Sequence, residues 1–188
     1  MGGRPLSNNS STEPGWLTPT GESPEYDAAL DTLLGRWMRF ISDMPAGMVR
    51  PRWQPVHAAM PSVETNWVAF GVTEWPVDNT PAFTLQTETG SQLWRHEEFI
   101  AMASFYGPSG MRYASVFRDG ISIEQNNREL NRVGLSLVDH GDIIPFPELI
   151  NNQWVRRYDI SVRIRRKVVR TYNIQSIVDG NVTITTGE

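Results

Sequence analysis

Between Trp154 and Arg170 the chain alternates with a period of two: Tyr158, Ile160, Val162 and Ile164 fall on one side, and Asp159, Ser161, Arg163 and Arg165 on the other. That period belongs to a β-strand with one apolar and one polar face. A strand of this length cannot stand alone. Its backbone needs neighbouring strands, and its apolar face needs a cover of helices or a second sheet. The wet face is strongly basic, with Arg163, Arg165 and Lys167 spaced about 7 Å apart at roughly 3.3–3.4 Å rise per residue. Such a stripe meets phosphates, the acidic side chains of another protein, or water.

The rest of the chain indicates what covers this strand. Ser23, Pro24, Glu25 and Asp27 carry the marks of a helix start. Tyr26, Ala29, Leu30, Leu33, Trp37 and Ile41 then follow at helical spacing, and residues 43–47 end the helix. Strand-like segments follow at Val49–Trp53 and Trp67–Trp75. Ala82–Thr87 and Leu93–Tyr106 flank a Thr89-Gly90-Ser91 turn and read as a hairpin. Gly107 and Pro108 turn the chain out of that strand into a second helix near Ser109–Asp119, for which Gly120 is the expected stop. Gln125–Leu130 reads as a short helical turn and Leu135–Val138 as a strand, while Pro145 and Pro147 mark a loop. Asn173–Val178 and Val182–Thr186 read as a last hairpin around Asp179-Gly180. The expected fold is therefore α+β: an antiparallel or mixed sheet, two main helices on one face, and an extended N-terminal arm.

Residues 1–22 lack the apolar content to fold alone and read as a flexible arm, with Trp16 and Leu17 as an anchor for a neighbour. Residues 23–188 read as a single domain, within the usual size range. The chain has no cysteine, so disulfides and thiolate metal sites are excluded. No apolar run approaches the roughly 18–20 residues that span a bilayer, so no membrane partner is expected. Of 17 basic residues all but Lys167 are arginine, and there are seven tryptophans. Arginine and tryptophan are types enriched at protein interfaces, where lysine is depleted.

Catalytic vocabulary is sparse. His57, His96 and His140 have no metal-binding spacing, and no cofactor is expected. His96 with Glu98, or His140 with Asp142, would be the groups of a hydrolase reading. Ser109 lies at a strand-to-helix turn but lacks the glycine spacing of a nucleophile elbow. The chain does not read as an enzyme. A net charge of −4 also weighs against a general nucleic-acid binder.

Five segments in order, MVRPRWQP (Met48–Pro55), NWVAFGV (Asn66–Val72), SFYGPSG (Ser104–Gly110), FRDGISIEQNNREL (Phe117–Leu130) and PELINNQWVRRYDISVRIRRKVVRTY (Pro147–Tyr172), resemble the phage neck and tail terminator proteins. The resemblance runs from about Tyr26 to Ile177. It implies a structural virion protein, assembled in the host bacterial cytoplasm, that forms a closed ring, a hexamer, at the neck. Such a ring caps the tail tube and joins it to the head connector. The implied partners are further copies of the chain, the tail tube protein, the head–tail connector or stopper protein, and DNA passing through the lumen. No catalytic residue is implied. Trp154 and Tyr158 are expected in the core, and Trp16, Leu17, Arg163, Arg165 and Lys167 at contacts with neighbours. The alternatives are a connector or stopper protein of the neck, and a DNA-binding module built on the arginine-rich strand.

Overall fold

A computed structural model describes residues 10, 15–54, 56, 58–76, 78–150 and 152–174, and among these it has three α-helices and seven strands. In chain order they are α1 (Asp27–Ser42), β1 (Val49–Pro51), β2 (Trp67–Glu74), β3 (Ala82–Thr84), β4 (Ser91–Tyr106), α2 (Gly110–Ile121), α3 (Arg128–Arg132), β5 (Leu135–His140), β6 (Ile144–Ile150) and β7 (Gln153–Tyr172). A short 3₁₀ turn, Glu124–Asn127, leads into α3. The sheet is mixed, in the order β1-β2-β4-β7-β5, with β3 paired to β4 and β6 to β7. β1 and β2 pair in parallel, whereas β2–β4, β3–β4, β5–β7 and β6–β7 are antiparallel. The fold is thus α+β with helices packed against the sheet, as the patterning implies.

By their internal contacts the residues divide into two units. One comprises Met1–Pro24, Asp78–His96 and Lys167–Glu188; the other comprises Glu25–Val77 and Glu97–Arg166. The larger unit holds the core. Leu30, Leu34, Trp37, Met38 and Ile41 of α1, and Ala114, Phe117 and Ile121 of α2, meet Val68 and Phe70 of β2, Phe99, Ala101, Ala103 and Phe105 of β4, and Ile160, Val162 and Ile164 of β7. Trp37 meets Phe117 edge-on at 5.4 Å, a preferred aromatic geometry. On the opposite sheet face lies a smaller cluster, Trp67, Ala69, Tyr106 and Val155, in which the Trp67 and Tyr106 rings stack at 4.4 Å.

In the smaller unit, β3 pairs with the first part of β4 through Ala82↔Trp94 and Phe83↔Leu93. Thr20 pairs antiparallel with Thr171 at the end of β7. Trp16 is 70 % exposed, and Leu17 is half-buried. The rest of the expected arm, residues 1–9 and 11–14, and the expected final hairpin from Gln175 onward lie outside the described residues.

Three local expectations change. The first helix begins at Asp27 rather than Ser23, with Tyr26 as its N-cap. The reason is tertiary: the Glu25 carbonyl accepts a 2.6 Å hydrogen bond from Arg166, and the Tyr26 hydroxyl donates to Glu97 at 2.9 Å, which keeps these residues extended. The segment with Pro145 and Pro147 is a strand, paired residue by residue from Ile144↔Asp159 to Ile150↔Gln153. It runs at the sheet margin with β7 as its partner, and two prolines two residues apart place both missing N–H groups on the same edge, away from a ladder. Finally, Gly120 does not stop α2 by a left-handed turn. It lies inside the last turn, where a Cβ would come within 2.5 Å of Ile41 Cγ2, so its smallness serves the approach of α2 to α1.

Candidate assembly interface

The long strand β7 separates its side chains as the alternation requires. In the larger unit Ile160, Val162 and Ile164 are buried in the helix-covered core, and in the smaller unit Val168 is buried too, while Arg163, Arg165 and Lys167 are exposed. The charges of the three are not equally engaged. Arg163 lies 3.5 Å from Asp139 and 3.9 Å from Glu98. Both partners are substantially exposed, so these pairs contribute about 0–1 kcal/mol. Arg165, paired across the ladder with Ser136, has no ion pair among the described residues. Lys167 belongs to the smaller unit, where its Nζ sits 2.9 Å from the centre of the Trp94 ring.

Arg166 breaks the apolar parity of the buried side. It is 5 % exposed. Its Nε donates to Glu97 Oε2 at 3.0 Å, its Nη2 lies 2.9 Å from the same oxygen, and Nη1 donates to the Glu25 carbonyl. Its guanidinium lies 4.2 Å from the Tyr26 ring centre and 5.7 Å from that of Trp75. The alternation exposes the anomaly, since an arginine stands where an apolar residue is due. Its partners, distant in sequence, are not legible there.

Nearer the β6–β7 turn a second charged group forms. Arg157 donates to Asp159 Oδ2 at 2.7 Å and to Glu148 Oε2 at 3.0 Å, and it covers the Phe146 ring at 4.5 Å. Burial works against its charged form, but the hydrogen bonds to Asp159 and Glu148 outweigh burial and hold its pKa above the ordinary arginine value. Tyr106 donates to Glu148 at 3.1 Å. Burial, with the Glu148 charge beside it, pushes the Tyr106 phenol up to about 12. The folded state therefore keeps a proton that an unfolded tyrosine releases near pH 10, and stability falls as pH rises from about 10 to 12, by about 2–3 kcal/mol. Tyr106→Phe should flatten that decline, as read from urea midpoints across the window. An equally steep decline in the variant would show that another group titrates.

Trp154 and Tyr158, both expected inside, part ways. Tyr158 packs against the main core. Trp154 is 74 % exposed, because β6 and β7 run beyond the helices there and nothing described covers its side of the hairpin. Leu149, its cross-strand partner, is 54 % exposed.

The turn residues sit as follows. Gly107 has φ +98°, a left-handed value suited to glycine, and a Cβ there would meet the Thr65 carbonyl oxygen at 2.5 Å. Pro108 is exposed beside it. Asn66 Oδ1 accepts from the Ser109 amide at 2.7 Å and secures the entry to α2.

Of the histidines, His57 lies outside the described residues. His96 is exposed on β4, and His140 Nδ1 lies 3.0 Å from the Gly141 carbonyl oxygen. Glu98 is taken up by Arg163. Among the described residues no group of three or more His, Cys, Asp or Glu side chains is placed to hold a metal ion. A cavity of about 180 Å³ lies over the smaller apolar cluster, with Arg50 and Arg52 facing Met60, Pro61, Trp67 and Tyr106. Its described lining has no carboxylate or histidine, so it offers binding surface rather than acid–base groups. No described helix is long and apolar enough to cross a membrane.

No curated protein matches the chain. A family model described as phage neck terminator protein matches residues 28–188, from the first turn of α1 to the last residue. With most of its length matched, this chain belongs to the phage neck terminator protein family and is a structural component of the bacteriophage neck.

Proposed function

We propose that the protein forms a closed homo-oligomeric ring, a hexamer, at the neck of a tailed phage, where it caps the tail tube and joins it to the head connector or stopper. Its role is structural rather than enzymatic, and assembly takes place in the host bacterial cytoplasm. The observation that carries this reading is the family membership over residues 28–188. The chemistry of the chain agrees with it. Closed rings use heterologous contacts, one patch against a different patch on the next copy, and such contacts need charged, preorganised surfaces more than a pocket. Residues 23–188 act as one α+β domain in this reading, and residues 1–22 act as an arm.

Two contact groups follow. In the larger unit Arg163 and Arg165 meet acidic side chains of a neighbour. In the smaller unit Lys167, with Trp16 and Leu17 of the arm, contacts another. Replacing Arg163, Arg165 and Lys167 by Ser or Gln should leave the chain folded and within about 3 kcal/mol of the parent, because only two exposed pairs and one cation–π contact are lost. Ring closure should fail, since each interface repeats the loss of a charge pair worth about 2–5 kcal/mol when desolvated. Light scattering and negative-stain images of the folded variant read the outcome. Normal rings that retain DNA poorly would assign these groups to the lumen instead. Normal rings with normal DNA retention would remove the stripe from assembly altogether.

A further inference from the structure

The two sides of the β6–β7 hairpin differ in how fully they are engaged. One side is fixed: Val155 packs with Trp67 and Tyr106, Tyr106 and Arg157 both hydrogen-bond Glu148, and Arg157 bridges to Asp159. The other side carries Leu149 and Trp154 as a cross-strand pair, with Arg156 opposite Pro147 in the next register position but one. Arg156 is exposed and has no ion pair among the described residues. An exposed Trp beside an Arg without an ion pair matches the residue types of an interface centre. A tryptophan buries about 150–250 Å² when covered.

The charge distribution indicates the occupant. Residues 144–172 carry seven basic and two acidic side chains, whereas the remaining residues carry ten basic and nineteen acidic ones. A positive element on an otherwise negative chain is complementary to another copy of itself. The start of α1 offers the matching surface. Asp27 and Asp31 stand one turn apart, with exposed Ala28 and Thr32 beside them as a shallow floor, and neither carboxylate has a cation partner among the described residues. Partial burial, then the Asp27 charge, pushes the Asp31 carboxyl up, as befits an acid lacking a counter-charge.

These two surfaces do not meet within one copy. The chain just before α1 is tied to Arg166, ten residues beyond Arg156 along β7, or about 33 Å at strand rise. Surfaces at opposite ends of one unit pair between copies, in the head-to-tail manner that closes rings.

We propose that Leu149, Trp154 and Arg156 of one copy dock on the Asp27–Asp31 edge of a second copy. This rests on the ring reading above. The chain has no cysteine, so Trp154→Cys provides a single attachment point. A benzophenone maleimide placed there returns an aromatic group to the site. Photolysis of particles assembled with this variant should join two copies, with the cross-link mapping to residues 25–32. In parallel, Arg156→Asp and Asp31→Arg should each weaken self-association at least tenfold, and the double variant should recover most of it. Cross-links to a different virion protein, cross-links elsewhere on this chain, none at all, or no recovery in the double variant would each overturn the proposal. Images of the same particles keep the two readings apart. Rings with the wrong cross-link sink only this contact, and particles without rings sink the ring reading as well.

Discussion

Arg166→Ala should lower the stability of the folded chain by about 3–5 kcal/mol, the usual cost of removing one partner from a buried ion pair. The variant leaves Glu97, only 18 % exposed at its side chain, without the cation that faces it. It also releases the Glu25 carbonyl and uncovers the rings of Tyr26 and Trp75. Urea denaturation measures the loss. Arg166→Lys should fall between the two, since one ammonium cannot reproduce a fork that reaches a carboxylate and a carbonyl together. Arg166→Met with Glu97→Gln should recover part of the deficit, because the uncompensated charge is gone and the amide oxygen that replaces the carboxylate still accepts from the Tyr26 hydroxyl. A loss below about 1 kcal/mol in Arg166→Ala would mean that this guanidinium does not anchor the approach to α1.

Gly107→Ala is the second large effect, at about 2–5 kcal/mol, combining left-handed backbone strain with overpacking. The new methyl group would meet backbone, at 2.5 Å from the Thr65 carbonyl oxygen and 2.8 Å from Asn66 Cα, and neither can move aside as a side chain does. It would also press on Asn66 Oδ1, which secures the Ser109 amide. Gly120→Ala should cost less, about 1–3 kcal/mol, because the atom it meets is the end of the Ile41 side chain. Pro108→Ala, on an exposed residue, should cost less than about 1 kcal/mol. Thermal or urea unfolding of the three variants ranks them. Gly107→Ala at or below Gly120→Ala would show that the turn relaxes freely.

Where the local pattern and the tertiary contacts agree, the elements were legible in advance. The alternation from Tyr158 to Arg165 marks β7, and the β3–β4 pair and α2 lie close to their expected bounds. The misses share one cause. Ser23 and Pro24 have the local chemistry of a helix start, but Arg166 and Glu97 hold the next two residues extended. Pro145 and Pro147 are turn residues by habit, yet β7 is long enough to carry an edge strand that tolerates them. Trp154 belongs in a core by type and by parity, but at that end of the strand the helices have already stopped. For the candidate contacts, the basic stripe was readable as a stripe. That Arg163 already holds two carboxylates, that Lys167 lies on Trp94, and that Arg165 stands alone were not readable, because those partners are distant in sequence.

Fold class, the strand that organises the sheet, the wet face of that strand and the family are all written in the order of residues. All of these follow from periodicity and from ordered segments, which are local properties of the chain. Which arginine is buried, which are paired, which remain open, and that a hairpin leaves a tryptophan uncovered emerge with folding. A charge or a ring acquires its role from what comes within a few ångströms of it. Such neighbours are set by the packing of β7 against segments as remote as Tyr26 and Glu97.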